Sequence, residues 1–231
     1  MTDSIFLTPR SGAQHRFDTH AGIARFGGAF HHVNYTSSYI LAARTLYLSA
    51  KDSAKLDEMC LPILFLQRHA LELAIKDYVS SYSDLILLEF TGNPALCTRA
   101  TKAQETASTT HHLSKLHGLA AQLGRLLDLP DLPADLAALV SLVEDLEGAA
   151  PDASRYSTVR GPRHDPLRAT WPTNDVSEDL YVFNYEPTVS LPLGLIDSHL
   201  AALSFHLSMS NYDAVLYQVC KRIHDLVCEQ E

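Results

Sequence analysis

Arg68, Glu72 and Lys76 stand four residues apart in the run Leu66-Gln67-Arg68-His69-Ala70-Leu71-Glu72-Leu73-Ala74-Ile75-Lys76. On a helix that spacing turns successive side chains by only about 40°, so Arg68 with Glu72 and Glu72 with Lys76 are neighbouring opposite charges. On a solvated face such pairs contribute a few tenths of a kcal/mol each. Here Leu64, Phe65, Leu71, Leu73, Ala74 and Ile75 leave little of the helix for water. A charged row on a mostly buried helix must find partners in other segments. The expectation is a polar seam inside a helical bundle, serving either as an ion-pair scaffold or as part of a functional site.

Three further groups carry chemistry. His111 and His112 precede His117, but zinc sites on one helix want histidines three or four residues apart, and the intervals to His117 are six and five. His112, at a helix N-terminus, is placed to stay neutral because the macrodipole there disfavours an imidazolium, which suits a base or an acceptor as well as a packing role. The segment Arg155-Tyr156-Ser157-Thr158-Val159-Arg160-Gly161-Pro162-Arg163-His164 concentrates positive charge; its arginines could grip phosphate in bidentate fashion and its tyrosine could stack, or the segment is a solvated basic loop. His199, His206 and Asp213 recur every seven residues on one side of a helix, the pattern of a boundary stripe. With His111 and His112 they make a weaker candidate for a metal hydrolase. No metal and no cofactor is expected, and no phosphate-binding glycine loop or nucleophile elbow is present.

The chain that must position these groups has 231 residues, 46% hydrophobic and 19% charged, with a net charge of −9. That is ample apolar material for a core and the wrong sign for a general nucleic-acid or acidic-membrane binder, although a local basic cleft is compatible with it. No segment reaches the roughly eighteen uninterrupted apolar residues of a membrane span, and the first residues lack a signal pattern. A cytoplasmic protein that makes no membrane contact is expected. Cys60, Cys97, Cys220 and Cys228 have no paired spacing and are expected as reduced thiols.

Periodicity predicts an irregular arm over residues 1–30, then a single helical domain over 31–231. Helices are expected over about 31–50, 56–90 (with Pro62 in its first turns or at a kink), 111–127 and 133–148, and one long final helix over 193–228. Residues 95–110, small and polar, predict a mobile loop leading to a helix capped at Thr109 or Thr110. Prolines break the pattern over about 149–192, which predicts an irregular or small β insertion. The fold class is all-α, an up-and-down bundle of about five helices with that insertion before the last. Its two longest helices carry more apolar surface than one neighbour covers, so a homodimer is expected.

The order of parts resembles the HEPN superfamily of nucleotide-binding helical domains, particularly its uncharacterised bacterial members. The resembling pieces are residues 61–76, then His112-Leu113-Ser114-Lys115-Leu116, then Ser154-Arg155-Tyr156 ahead of a β-like excursion and a terminal helix. The resemblance implies an RNA or nucleotide ligand, a role in stress or defence, a dimer and, in many relatives, metal-independent ribonuclease activity through an arginine and a following histidine with four to six residues between them. Here that spacing occurs only early, at Arg10 with His15 and Arg25 with His31 or His32, and not at the start of a late helix. A site carried by this resemblance is therefore noncanonical: Arg68, Glu72 and His112 for catalysis, with Lys76, Arg155, Tyr156 and Arg160 for binding. The reading from a different class is a noncatalytic helical module that binds a partner protein, with the charged row as internal scaffolding.

Overall fold

Alanine, leucine and the straight-chain residues dominate the periodic stretches, and each such stretch forms a helix. The computed structural model describes residues 35–149, 191–207 and 215–228. Of the two units into which the chain divides, Met1–Asn34 and Tyr35–Glu231, only the second is described below. Seven helices occur among the described residues: α1 (Tyr35–Asp52), α2 (Leu56–Glu89), α3 (Pro94–Thr109), α4 (Leu113–Leu126), α5 (Ala134–Ala149), α6 (Leu193–His206) and α7 (Val215–Cys228). The irregular arm and the residues 150–190 of the expected insertion lie outside the described residues.

The 34 residues of α2 make a rod about 50 Å long, and every other described helix packs against it. That position explains a hydrophobic pattern broader than the stripe of an ordinary amphipathic helix: Ile63, Leu64, Leu71, Ile75, Val79, Leu85 and Ile86 are all buried and, at about 100° per residue, spread over nearly half of the circumference. Pro62 lies inside α2 with its ring exposed, where it forfeits one backbone hydrogen bond near the start and the helix continues through it. Contacts at both ends show that α4 runs in the same direction as α2, since His111 meets Glu72 while Gly124 meets Tyr82.

Two sharp reversals share one device. At Ala54 and at Asp128 the backbone takes positive φ, 55° and 52°. In each case that residue's own amide and the next one close back on the ending helix: Ala54 on the Lys51 carbonyl and Lys55 on that of Ala50, then Asp128 on Arg125 and Leu129 on Gly124. This double closure satisfies carbonyls that a helix end otherwise leaves bare.

Residues 95–110 are the clearest departure from the expected loop: they form α3. Asn93 accepts from the Leu96 amide and Pro94 occupies the first helical position, so the Gly92-Asn93-Pro94 sequence that stops α2 also starts α3. The threonines that suggested a loop are accommodated within the helix, where Thr98, Thr101 and Thr109 donate to the carbonyls of Pro94, Cys97 and Glu105 four residues back. The small residues are a packing face, because Ala100, Ala103 and Ala107 are buried against the core. The capping residue of α4 is His112, and Thr110 instead accepts from the His112 amide through its hydroxyl. The expected single final helix is described as α6, ending at His206 with Leu207 in a turn, and α7; residues 208–214 lie outside the described set.

Two glycines of α4 separate helix propensity from packing. A methyl group at Gly118 would meet nothing within 4 Å, whereas one at Gly124 would lie 3.2 Å from the ring of the buried Tyr82, which is itself held edge-on against Tyr78. Gly118→Ala is expected to raise stability by about 0.5–1 kcal/mol. Gly124→Ala is expected to lower it by about 1 kcal/mol or more, overpacking outweighing the same propensity gain. Urea unfolding of the two variants measures both signs.

Candidate functional site

Arg68 is 4% exposed and Glu72 3% exposed, so neither side chain can rely on water and each must be met by protein groups. Arg68 distributes its donors over three segments. Its Nη1 reaches Glu72 Oε2 at 3.0 Å, its Nη2 donates to the His111 carbonyl at 2.8 Å, and its Nε hydrogen-bonds Glu147 of α5. Glu72 Oε1 is shared by Lys76 Nζ at 2.9 Å and His111 Nδ1 at 2.8 Å. The seam therefore joins α2, the α3–α4 connection and α5 through alternating charge.

Its electrostatics follow from that alternation. Burial alone pushes the Glu72 carboxyl up, but hydrogen bonds from Lys76 and His111, the Lys76 charge and the Arg68 hydrogen bond outweigh it and lower the carboxyl to about 2. Next to the seam, burial lowers the pKa of His69, whose ring lies parallel to Phe65 at 6.0 Å and edge-on to Tyr39 at 4.4 Å. Burial likewise lowers the pKa of His117. Set against known protein families, characterised proteins and solved structures, the chain matches none of them.

The sequence-predicted site residues divide. Arg68, Glu72 and Lys76 come together as expected from their spacing. His112 does not join them: the imidazole on Glu72 belongs to His111, while His112 is exposed and caps α4 with no side-chain hydrogen bond to the helix. The reason is directional. The chain runs extended at the α4 cap, and successive side chains of extended backbone point to opposite sides, so only one of two adjacent histidines can face α2. Arg155, Tyr156 and Arg160 lie outside the described residues, as does Asp213. His199 pairs with Asp135 of α5 at 2.7 Å, and among the described residues no group of three or more metal-ligating side chains converges. The four cysteines are free thiols.

Sequence reasoning missed Glu147, and with it the role of α5. That helix carries Asp135, Glu144, Asp145 and Glu147 and no lysine or arginine, which is the signal that its acids have partners elsewhere. Three of them do: Asp135 on His199 of α6, Glu144 Oε1 on the Ser114 amide of α4 at 2.7 Å, and Glu147 on Arg68 of α2. Gln67, fully buried beside Arg68, donates to the Leu193 carbonyl at 3.0 Å and so fastens the start of α6 to α2.

Arg68→Ala is expected to cost about 3–5 kcal/mol in urea unfolding, because the Glu72 carboxylate loses its buried partner. Converting both, as Arg68→Met with Glu72→Leu, is expected to recover most of that loss. The pH dependence has a fixed sign: the Glu72 carboxyl titrates lower in the folded chain than in the unfolded one, so its contribution is complete above about 4.5 and disappears as pH falls toward 2. The stability gap between the natural chain and Glu72→Gln is expected to narrow across that window in unfolding measured at a series of pH values.

Proposed function

We propose that this chain is a HEPN-like helical module that binds RNA or a nucleotide at its surface without cleaving it. The supporting observation is the state of the Arg68–Glu72 pair: both groups are nearly sealed from solvent, at 4% and 3% exposure, and are committed to partners within the chain. A catalytic arginine or carboxylate has to meet a reacting phosphate, and this pair would first have to abandon buried charges to do so. The seam is thus read as the scaffold that holds α2, α4 and α5. The reading carries with it the finer architecture, an up-and-down bundle of HEPN type with an insertion over about 149–192, and a homodimer in the cytoplasm.

A specific observation favours the ribonuclease as second reading. The His111 side chain is 62% exposed while its Nδ1 is fixed on Glu72, and a carboxylate that orients an imidazole at the edge of a seam is an arrangement suited to metal-independent proton transfer.

The full-length chain incubated with a labelled oligoribonucleotide in EDTA separates the two. The binding module is expected to retard the RNA at low salt and leave it intact, equally in the natural chain, His111→Ala and His112→Ala. Cleavage that His111→Ala abolishes without unfolding the protein establishes the second reading instead. Neither retardation nor cleavage leaves the protein-partner module as the surviving alternative.

A further inference from the structure

α3 and α4 pack chiefly on α2 and little on each other, which leaves a cleft between them. It has a volume of about 160 Å³ and is lined by Arg99, Lys102, Ala103 and Thr106 of α3 with Leu119, Gln122 and Leu123 of α4. Two positive side chains and two neutral donors surround an apolar floor, and among the described residues no carboxylate lines it. Lys115 lies one turn before Leu119 on the same stripe of α4 and is also exposed. Among the described residues the side chains of Arg99, Lys102, Thr106 and Gln122 form no ion pair and no hydrogen bond. Cations elsewhere in the chain, such as Arg68, Lys76 and Arg222, are paired with glutamates.

Residues 94–127 hold four Lys or Arg and a single acidic residue, in a chain of net charge −9. A cleft that holds two cations and, among the described residues, no carboxylate presents a local attraction for anions. Charge decides the class of anion. A phosphate monoester carries about −1.5 to −2 near neutrality and matches Arg99 with Lys102, whereas one carboxylate would leave a cation unmatched. Size decides how much is held. The cleft is smaller than the roughly 300–1,000 Å³ that encloses a whole organic ligand, so it takes one group while the remainder lies outside.

We infer that the α3–α4 cleft is a phosphate-monoester site, with Arg99 and Lys102 meeting the charge and Thr106 and Gln122 donating to the remaining oxygens. This rests on the reading of the chain as a surface binder of RNA or nucleotide, and it names the group recognised. A free nucleotide and the phosphorylated end of an RNA present the same chemistry.

Fluorescence anisotropy of the full-length chain at low salt tests it, using labelled oligouridylate with and without a 5′-phosphate and, as competitors, inorganic phosphate, adenosine monophosphate and polyglutamate. Arg99→Gln with Lys102→Gln is the test variant and Lys51→Gln with Lys55→Gln the control; all four lysines and arginines are exposed, and circular dichroism confirms that the fold is kept. The 5′-phosphorylated probe is expected to bind more tightly, and phosphate or the nucleotide to displace it. The test variant is expected to weaken binding roughly tenfold and to lower the salt slope by about 1.4, two contacts at about 0.7 each on a single strand. Displacement by adenosine monophosphate at far lower concentration than by inorganic phosphate points to the nucleotide; equal displacement points to the RNA end. Equal binding by test variant and natural chain, no preference for the 5′-phosphate, or displacement by polyglutamate as effective as by phosphate overturns the site while leaving the binding module standing. Failure of the natural chain to bind any probe overturns both.

Discussion

A guanidinium that cannot be hydrated has to be surrounded by acceptors before the helices around it can close, and Arg68 sets that condition here. Its carbonyl partner lies on the connection entering α4, one carboxylate partner on its own helix and the other on α5. Each acceptor is useful only if its own helix sits at one rotation and one height, so the charge converts non-directional burial into a fixed arrangement. Burial of apolar surface is itself non-directional, and the hydrogen bonds of the seam add to close packing, such as Gly124 against Tyr82, in fixing where α4 and α5 sit. The network also explains why Glu72 stays ionised in an interior that would otherwise protonate it: two cations and an imidazole converge on its two oxygens.

α2 and its neighbours divide the work of holding and recognising. One side of the rod carries the seam; at its far end Arg222 of α7 grips Glu89 in bidentate fashion, at 2.9 and 2.6 Å, and near its middle Thr36 of α1 donates to Asp77 at 2.6 Å. These are closed interactions with both members used. The α3–α4 face has the opposite character, with exposed cations that pair with no carboxylate among the described residues. Salt acts differently on the two, since screening reaches exposed charges within about a Debye length and scarcely touches buried ones.

What the sequence revealed followed from periodicity and from charge in an apolar setting. The Arg68, Glu72 and Lys76 row, the α2 boundaries and the break between α4 and α5 were all legible, since each depends on residues close together in the chain. The α3 helix was not, because Thr and Ser read as loop formers until their hydroxyls are seen to bond back within the helix, and because buried alanines leave a weak hydrophobic signal. The choice between His111 and His112 depends on the direction of one extended residue at a cap, which no composition encodes. Glu147 was hidden because its partner lies 79 positions away. Similarly, the α3–α4 cleft exists only because two helices share a third as their support.

The acidic residues of α5 bear on how this protein can be altered. Asp135 and Glu144 lie at or near the surface and Glu147 is half-buried, so a scheme that recoloured the exterior by exchanging acids for lysines would count them as dispensable. They are latches, each closing α5 onto a different neighbour. Exchange at those positions would place a cation against His199, against the bare amides opening α4, and against Arg68. Solubility engineering of this chain therefore has to spare that helix and take its substitutions from acids without a cross-helix partner.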